Sequence, residues 1–271
     1  MATRQSASAR GQAEWKKALR FASLGSGSKG NATLVSDGET HVLIDCGFGL
    51  RETESRLARL GLHPRQLSAV LITHEHGDHI RGVGALARRY GLPVHLSAGT
   101  WLSGRLGDVP RHELITPHSR FTIKGLEIDP ITVPHDAREP VQFCVSARER
   151  RLGVLTDLGH PSAHVVQAFR GCDSLILECN HDPRMLAEGP YPPRLKRRVG
   201  GDWGHLANAQ AHSLLRQVGL DRLQRIVCSH ISEQNNRPEL AQEILNPLLD
   251  GDESRLVIAA QDKGFDWQIV A

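Results

Sequence analysis

From Phe21 onward the chain alternates apolar runs with turn-rich polar stretches, and the spacing of the apolar positions assigns most of its elements. An apolar start at Phe21 leads into Ser26-Gly-Ser-Lys-Gly-Asn31, and TLVSDGETHVLIDCG then reads as two strands joined at Asp37-Gly38. Leu50 to Leu60 has helical spacing, with Leu57 and Leu60 on one face, and Leu67 to Thr73 forms a short apolar strand. Val83 to Tyr90 reads as a helix. VHLSA, FTIKGLEIDPITV, VQFCVSA, RLGVLTD and SLILECN read as successive strands, several continuous enough to be buried on both faces. The last third adds helices at Ala207 to Val218 and Pro238 to Leu249, a strand at Arg225 to Ser229, and the strands RLVIAAQD and FDWQIV. Strands alternating with helices imply an α/β layered fold. Residues 1–19 carry no persistent apolar period and are expected to form a flexible tail, leaving 20–271 as one catalytic domain.

Composition narrows the class. With 39% hydrophobic residues over 271 positions the chain can bury one sizeable core. The net charge of +3 and a pI near 8.7 are mild, so any surface for nucleic acid has to be local. No apolar run approaches the roughly 20 residues that span a bilayer, and the N-terminus lacks the apolar stretch of a secretory signal. A cytoplasmic location with no membrane partner is therefore expected. Cys46, Cys144, Cys172, Cys179 and Cys228 lie mostly in apolar strand-like runs without a CxxC pair, which suits reduced core thiols. The 15 histidines are many for this length, and their clustering points to metal, imidazole being the commonest side-chain ligand.

Thr73-His74-Glu75-His76-Gly77-Asp78-His79-Ile80 gathers three imidazoles and a carboxylate directly after the apolar run Val70-Leu71-Ile72. If this turn leaves a strand and enters a helix, His74 and His76 can point one way and Asp78 and His79 another, which suits two cations. A solvated loop has little reason to collect such side chains at a buried strand end without a cation to neutralise them. His135 follows the strand Ile131 to Val133, Asp157 follows Gly153 to Thr156, and His230 follows Ile226 to Ser229. Ligands at strand ends converge on one edge of a layered sheet. Nitrogen and oxygen donors without thiolate are compatible with zinc, manganese or iron; manganese is preferred here, zinc next. A pair of such cations lowers the pKa of a water and polarises an electrophile, so hydrolysis is the natural reaction.

THEHGDH resembles the HxHxDH signature of the metallo-β-lactamase superfamily, and Asp45, His135, Asp157 and His230 fall where its other motifs lie. The resemblance covers nearly all of residues 21–271 and implies a four-layer αββα sandwich. It also implies two divalent metal ions, Mn2+ or Zn2+, one held by His74, His76 and His135 and the other by Asp78, His79 and His230. Asp157 would bridge the pair, and Asp78 counts among the catalytic residues. Asp45 is expected behind the ligands, accepting from an imidazole and fixing its tautomer, although a turn-capping role before Gly47 would also explain it.

Several features point to a phosphodiester. Tyr191-Pro-Pro-Arg194-Leu-Lys196-Arg197-Arg198 concentrates cations just before Gly201-Asp-Trp-Gly-His205, and Arg197 and Arg198 are candidate backbone contacts. As a lone feature such a run reads as a solvated basic face. His205, near the start of a helix, could donate a proton to a leaving oxygen. It is similar to the histidine that precedes a helix in the RNase Z branch, and Glu178 resembles the glutamate that orients that histidine. Ser232, Asn235 and Asn236 beside His230, with Ser26 and Asn31 in the glycine-rich loop, are candidate phosphate contacts. SLGSGSKGNATLV, PHDAREPVQF, GHLANAQA and SHISEQNN, in this order, resemble the YycJ/WalJ subfamily, described as 5′-to-3′ exonucleases acting on DNA. That implies DNA with a 5′ end as the partner and a role in repair. One departure is Ala207, where the family usually has serine. The rivals are a small-molecule hydrolase of the same fold (cyclic phosphodiesterase, lactonase or thioesterase), which needs no basic run, and a nucleic-acid binder that does not cut, which would not need every ligand position filled.

Overall fold

The computed structural model describes residues 17–271; of the expected tail, residues 1–16 lie outside the described residues. Leu19 is buried between the two sheets, and its carbonyl accepts from Val270 N.

Two sheets form the centre. The first runs β14-β1-β2-β3-β4-β5-β6, with β1 at Arg20–Gly25, β2 at Ala32–Ser36, β3 at His41–Ile44, β4 at Ala69–Leu71, β5 at Val94–Ser97, β6 at His112–Ile115 and β14 at Phe265–Ile269. The second runs β13-β12-β11-β10-β9-β8-β7, with β7 at Phe121–Ile123, β8 at Leu126–Thr132, β9 at Val141–Ala147, β10 at Arg150–Leu155, β11 at Ser174–Glu178, β12 at Arg225–Ser229 and β13 at Leu256–Ile258. β3 to β6 pair in parallel, as do β10 to β13; the remaining neighbours are antiparallel.

Alternation along the strands divides the apolar residues among three cores. In β11, Leu175 and Leu177 face one way and Ile176 the other; in β3, Val42 and Ile44 oppose Leu43. Ile176, Val42 and Ile44 fill the space between the sheets, together with Phe143 of β9 and Val227 of β12. Leu175 and Leu177 meet Val165, Leu214 and Leu245 from the helices Ala163–Phe169, Asn208–Val218 and Pro238–Leu245. Leu43 meets Leu57 and Leu86 from the helices Leu50–Arg59 and Val83–Tyr90. Three cores between four layers make an αββα sandwich, and strands covered on both faces explain the unbroken apolar runs.

Two expectations change. FTIKGLEIDPITV is a hairpin of β7 and β8, because Lys124 takes a left-handed φ of 51° and reverses the chain before Gly125. The helix from Pro238 ends at Leu245 and continues as a 3-10 turn over Asn246–Leu249, since Pro247 removes a backbone donor.

Candidate metal centre

The carboxyl ends of β3, β4, β8, β10, β11 and β12 meet at one rim. Asp45 and His230 directly follow β3 and β12, Asp157 follows β10 after one residue, and Glu178 ends β11. Asp45, Asp157 and His230 hold left-handed φ values of 62°, 50° and 52°, a backbone that costs a non-glycine residue free energy and aims each side chain off its strand axis. Backbone hydrogen bonds knit the turns together, Asn31 N donating to Asp78 O, Cys46 N to His79 O and Gly47 N to Asn31 O. Gly47 is required in this packing, because a Cβ there would stand 1.8 Å from the Asp78 carbonyl oxygen.

The expected ligands come together. His74, His76 and His135 form one group whose ligand atoms lie within 4.8 Å of one another, and Asp78, His79 and His230 form another. Asp157 stands between them, Oδ2 at 3.1 Å from His79 Nε2 and Oδ1 at 3.6 Å from His230 Nε2.

Imidazole tautomers supply the test of fit. His135 Nδ1 lies 2.9 Å from the Gly204 carbonyl and His230 Nδ1 3.1 Å from Glu178 Oε1, so each Nδ1 donates outward. Asp45 Oδ2 accepts from both His79 Nδ1 and the Thr73 hydroxyl at 2.7 Å, while Oδ1 accepts from Thr73 N. With its proton committed to Asp45, the Thr73 oxygen can only accept from His74 Nδ1, 2.9 Å away. Four rings therefore turn Nε2 inward, and their outward partners set which nitrogen is left for a cation. In the first group His76 Nδ1 lies 3.0 Å from His74 Nε2 and 3.2 Å from His135 Nε2. The three nitrogens converge as ligands of a single cation would. In the second, Asp157 Oδ2 and His230 Nε2 are buried without a hydrogen-bond partner. The donor set fits divalent metal.

Electrostatics separate the two groups. Burial lowers the basicity of His76 and His135, and drives His74 well below the ordinary imidazole value, with the neighbouring rings adding to the effect at His74 and His135. Burial would do the same to His79 and His230, but carboxylates reverse it. Asp157, Asp78 and Asp45 hold His79 well above its usual value, and Asp157, Asp78 and Glu178 raise His230 to about 10. Conversely, His79 and His230 pull Asp78 down to about 2 against the cost of burial, and His205 and His230 do the same for Glu178, also to about 2.

Glu178 is fully buried and satisfied by four donors, Leu158 N and Leu206 N on Oε2 and His205 Nδ1 and His230 Nδ1 on Oε1. It fixes His205 at 2.8 Å and leaves the far nitrogen of that ring available. His205 lines a cleft of about 500 Å³ over the ligands, with Ser28, Arg105, Tyr191, Arg198 and Ser232 on its walls.

The other candidate contacts divide. Arg198 reaches the cleft wall, but its guanidinium pairs with Asp136, NH2 at 3.2 Å; Arg197 is exposed elsewhere on the helix Pro193–Val199. Ser232 lines the cleft and its hydroxyl accepts from Asn235 N. Ser26, Asn31, Asn235 and Asn236 are buried and mostly occupied with protein: Ser26 Oγ accepts from His230 N, Asn31 Nδ2 donates to Gly27 O and Asp78 Oδ2, and Asn236 exchanges hydrogen bonds with Asn208. They support the centre from behind. Sequence reasoning passed over Thr73 and Asp136, whose signal is adjacency to ligands in the chain. Asp136, next to His135, lies 3.8 Å from His76 Nε2 and 3.5 Å from His135 Nε2 while holding Arg198.

Residues 40–231 match the profile of the Beta-lactamase superfamily domain. Among curated proteins the chain is 34% identical over 236 residues to Exodeoxyribonuclease YycJ of Bacillus anthracis, covering 86% of this chain and 89% of that one. It is 33% identical to Exodeoxyribonuclease WalJ of Streptococcus pneumoniae, covering 86% and 90%. Among solved structures, the metallo-β-lactamase fold protein YhfI from Bacillus subtilis superposes with a TM-score of 0.70 at 17% identity, covering 92% and 99%.

Proposed function

Because the chain belongs to the β-lactamase superfamily, in the family of the YycJ and WalJ exodeoxyribonucleases, we propose that it is a phosphodiesterase with two divalent cations that removes nucleotides from a 5′ end of DNA. The observation that carries this reading is the pair of ligand groups sharing Asp157 at the floor of a cleft walled by Arg105, Arg198 and Tyr191. Bound there, divalent cations supply an activated water and neutralise charge on the phosphoryl oxygens.

The chain's own residues do the rest. His74, His76 and His135 on one side, and Asp78, His79 and His230 on the other, would hold the cations, with Asp157 placed between the two groups. Asp45 and Thr73 set the tautomers of His79 and His74. His205, oriented by Glu178, gives its remaining ring proton to the leaving oxygen, so Glu178 acts by positioning. Arg198 meets a phosphate from the wall, and the Ser232 hydroxyl adds a donor. We take manganese as the native metal with zinc next, the cytoplasm as the location, and DNA repair as the physiological setting.

Digestion of 5′-labelled and 3′-labelled single- and double-stranded DNA with manganese tests the polarity, with His76→Ala plus Asp78→Ala protein as the control. Label is expected to leave the 5′ end first as mononucleotide, and only in the unmutated protein. Release from the 3′ end, or internal cuts, would overturn the polarity. Cleavage of neither DNA nor RNA would favour a small-molecule hydrolase.

A further inference from the structure

Among the described residues, Leu102, Leu114 and Trp203 are the large apolar side chains left strongly exposed, and Trp203 stands two residues before His205, which lines the metal cleft. The Trp203 side chain is 61% exposed, yet its backbone is pinned. Asp136 N donates to Trp203 O at 2.9 Å, His160 Nδ1 reaches Asp202 O at 2.9 Å, Gly204 N donates to Gly201 O at 2.8 Å and His205 N to Val199 O at 2.8 Å. The approach is close: a Cβ on Gly159 would lie 2.1 Å from Asp202 O. The same loop supplies the Gly204 carbonyl that fixes His135 and, two residues after Trp203, the cleft histidine His205. Asp136 ties this loop to Arg198, binding the Trp203 carbonyl with its amide and the Arg198 guanidinium with its carboxylate. A well-bonded loop thus holds an indole in water, its backbone tied through Asp136 to Arg198 and followed by His205, both of which line the cleft.

We propose that Trp203 is a stacking platform for a nucleobase of the strand whose end enters the metal cleft. The proposal rests on the nuclease reading of that cleft and adds where the bases go. Stacking suits an enzyme that shortens a strand stepwise, because every base offers a π-face and the contact survives each change of sequence. Hydrogen-bond readout would hold some sequences and stall there. A pre-ordered indole also loses little side-chain freedom on binding, and the nearby guanidinium adds charge for the backbone linking stacked and reacting nucleotides.

The test measures binding of 5′-phosphorylated, phosphorothioate-linked single-stranded DNA to the full-length, manganese-loaded protein by fluorescence anisotropy, with a single abasic site moved through the first positions. In the unmutated protein one abasic position near the 5′ end is expected to weaken binding about tenfold. Trp203→Ala should weaken binding of intact DNA by a similar factor and abolish the abasic penalty, whereas Trp203→Phe should keep most of both. Equal weakening of intact and abasic DNA by Trp203→Ala would make the residue a support for the His135 loop and overturn the platform. Unchanged affinity in Trp203→Ala, as expected if another protein covers the indole, would overturn it too. Both results leave the nuclease reading standing. That reading fails separately, together with the platform, if the unmutated protein neither binds nor cuts DNA.

Discussion

At the scale of single residues, the centre depends on groups that stand behind the candidate metal ligands. Asp45 accepts two hydrogen bonds from Thr73 and one from His79, so a change at Thr73 reaches His74 through its lost hydroxyl and His79 through a loosened Asp45. Thr73→Val is expected to keep the fold and lower metal affinity about 10- to 100-fold, read by competition with a coloured chelator. The charges make a second prediction. Without metal, His230, raised to about 10, and His79, held well above its usual value, are protonated at neutral pH, so loading must displace protons from both. His74, His76 and His135, kept neutral chiefly by burial, have none to give up. Calorimetry at pH 7 in buffers of different ionisation enthalpy should show proton release on loading; a buffer-independent heat would contradict the assignment.

The same shifts set the pH range of the metal-free protein. Glu178, depressed from 4.5 to about 2, contributes stability that is present above pH 4.5 and lost as pH falls through 2. His230, raised from 6.5 to about 10, contributes stability that is complete below pH 6.5 and lost as pH rises through 10. Thermal unfolding of chelator-treated protein should therefore fall off on both sides of a plateau between about 4.5 and 6.5, and His230→Gln should make the alkaline decline shallower, leaving the part that His79 contributes.

At the scale of elements, the strands aim and the turns hold. Gly47→Ala is expected to destabilise by at least about 3 kcal/mol, because its Cβ meets backbone that cannot swing away; thermal unfolding measures this. The strands buried on both faces, β9, β11 and β12, were legible because continuous apolar runs leave few alternatives. β6 was not, since its first three residues are exposed and its edge position erases the period. The helix Pro193–Val199 read only as a basic run, being too short for helical spacing to emerge around its charges. Ligands were legible where they stand in local clusters or end strands, as His74 to His79 and His230 do. The partnerships of Asp45 with Thr73, of Glu178 with His230, and of Asp136 with Arg198 exist only once the turns are folded together. Burial likewise decides which polar loop residues face inward: Asn31 and Asn236 offer the same amide that a surface asparagine would, and the fold turns both toward the protein.

At the scale of the molecule, a mild net charge of +3 leaves recognition to the cleft and its rim. Two sheets bring six strand ends to one edge, so stability and chemistry meet there, and filling the centre should stiffen the whole sandwich. Metal at 100 times its dissociation constant is expected to add about 2.7 kcal/mol to unfolding free energy, seen as a rise in Tm that chelator reverses. The most direct measurement is the rate of mononucleotide release from 5′-phosphorylated single-stranded DNA as manganese is titrated into metal-free protein. Release should be absent in chelator, rise to a plateau with added metal, and vanish in Asp78→Ala. Undiminished release in chelator, or metal-dependent hydrolysis of small esters with none of DNA, would contradict a metal-dependent nuclease.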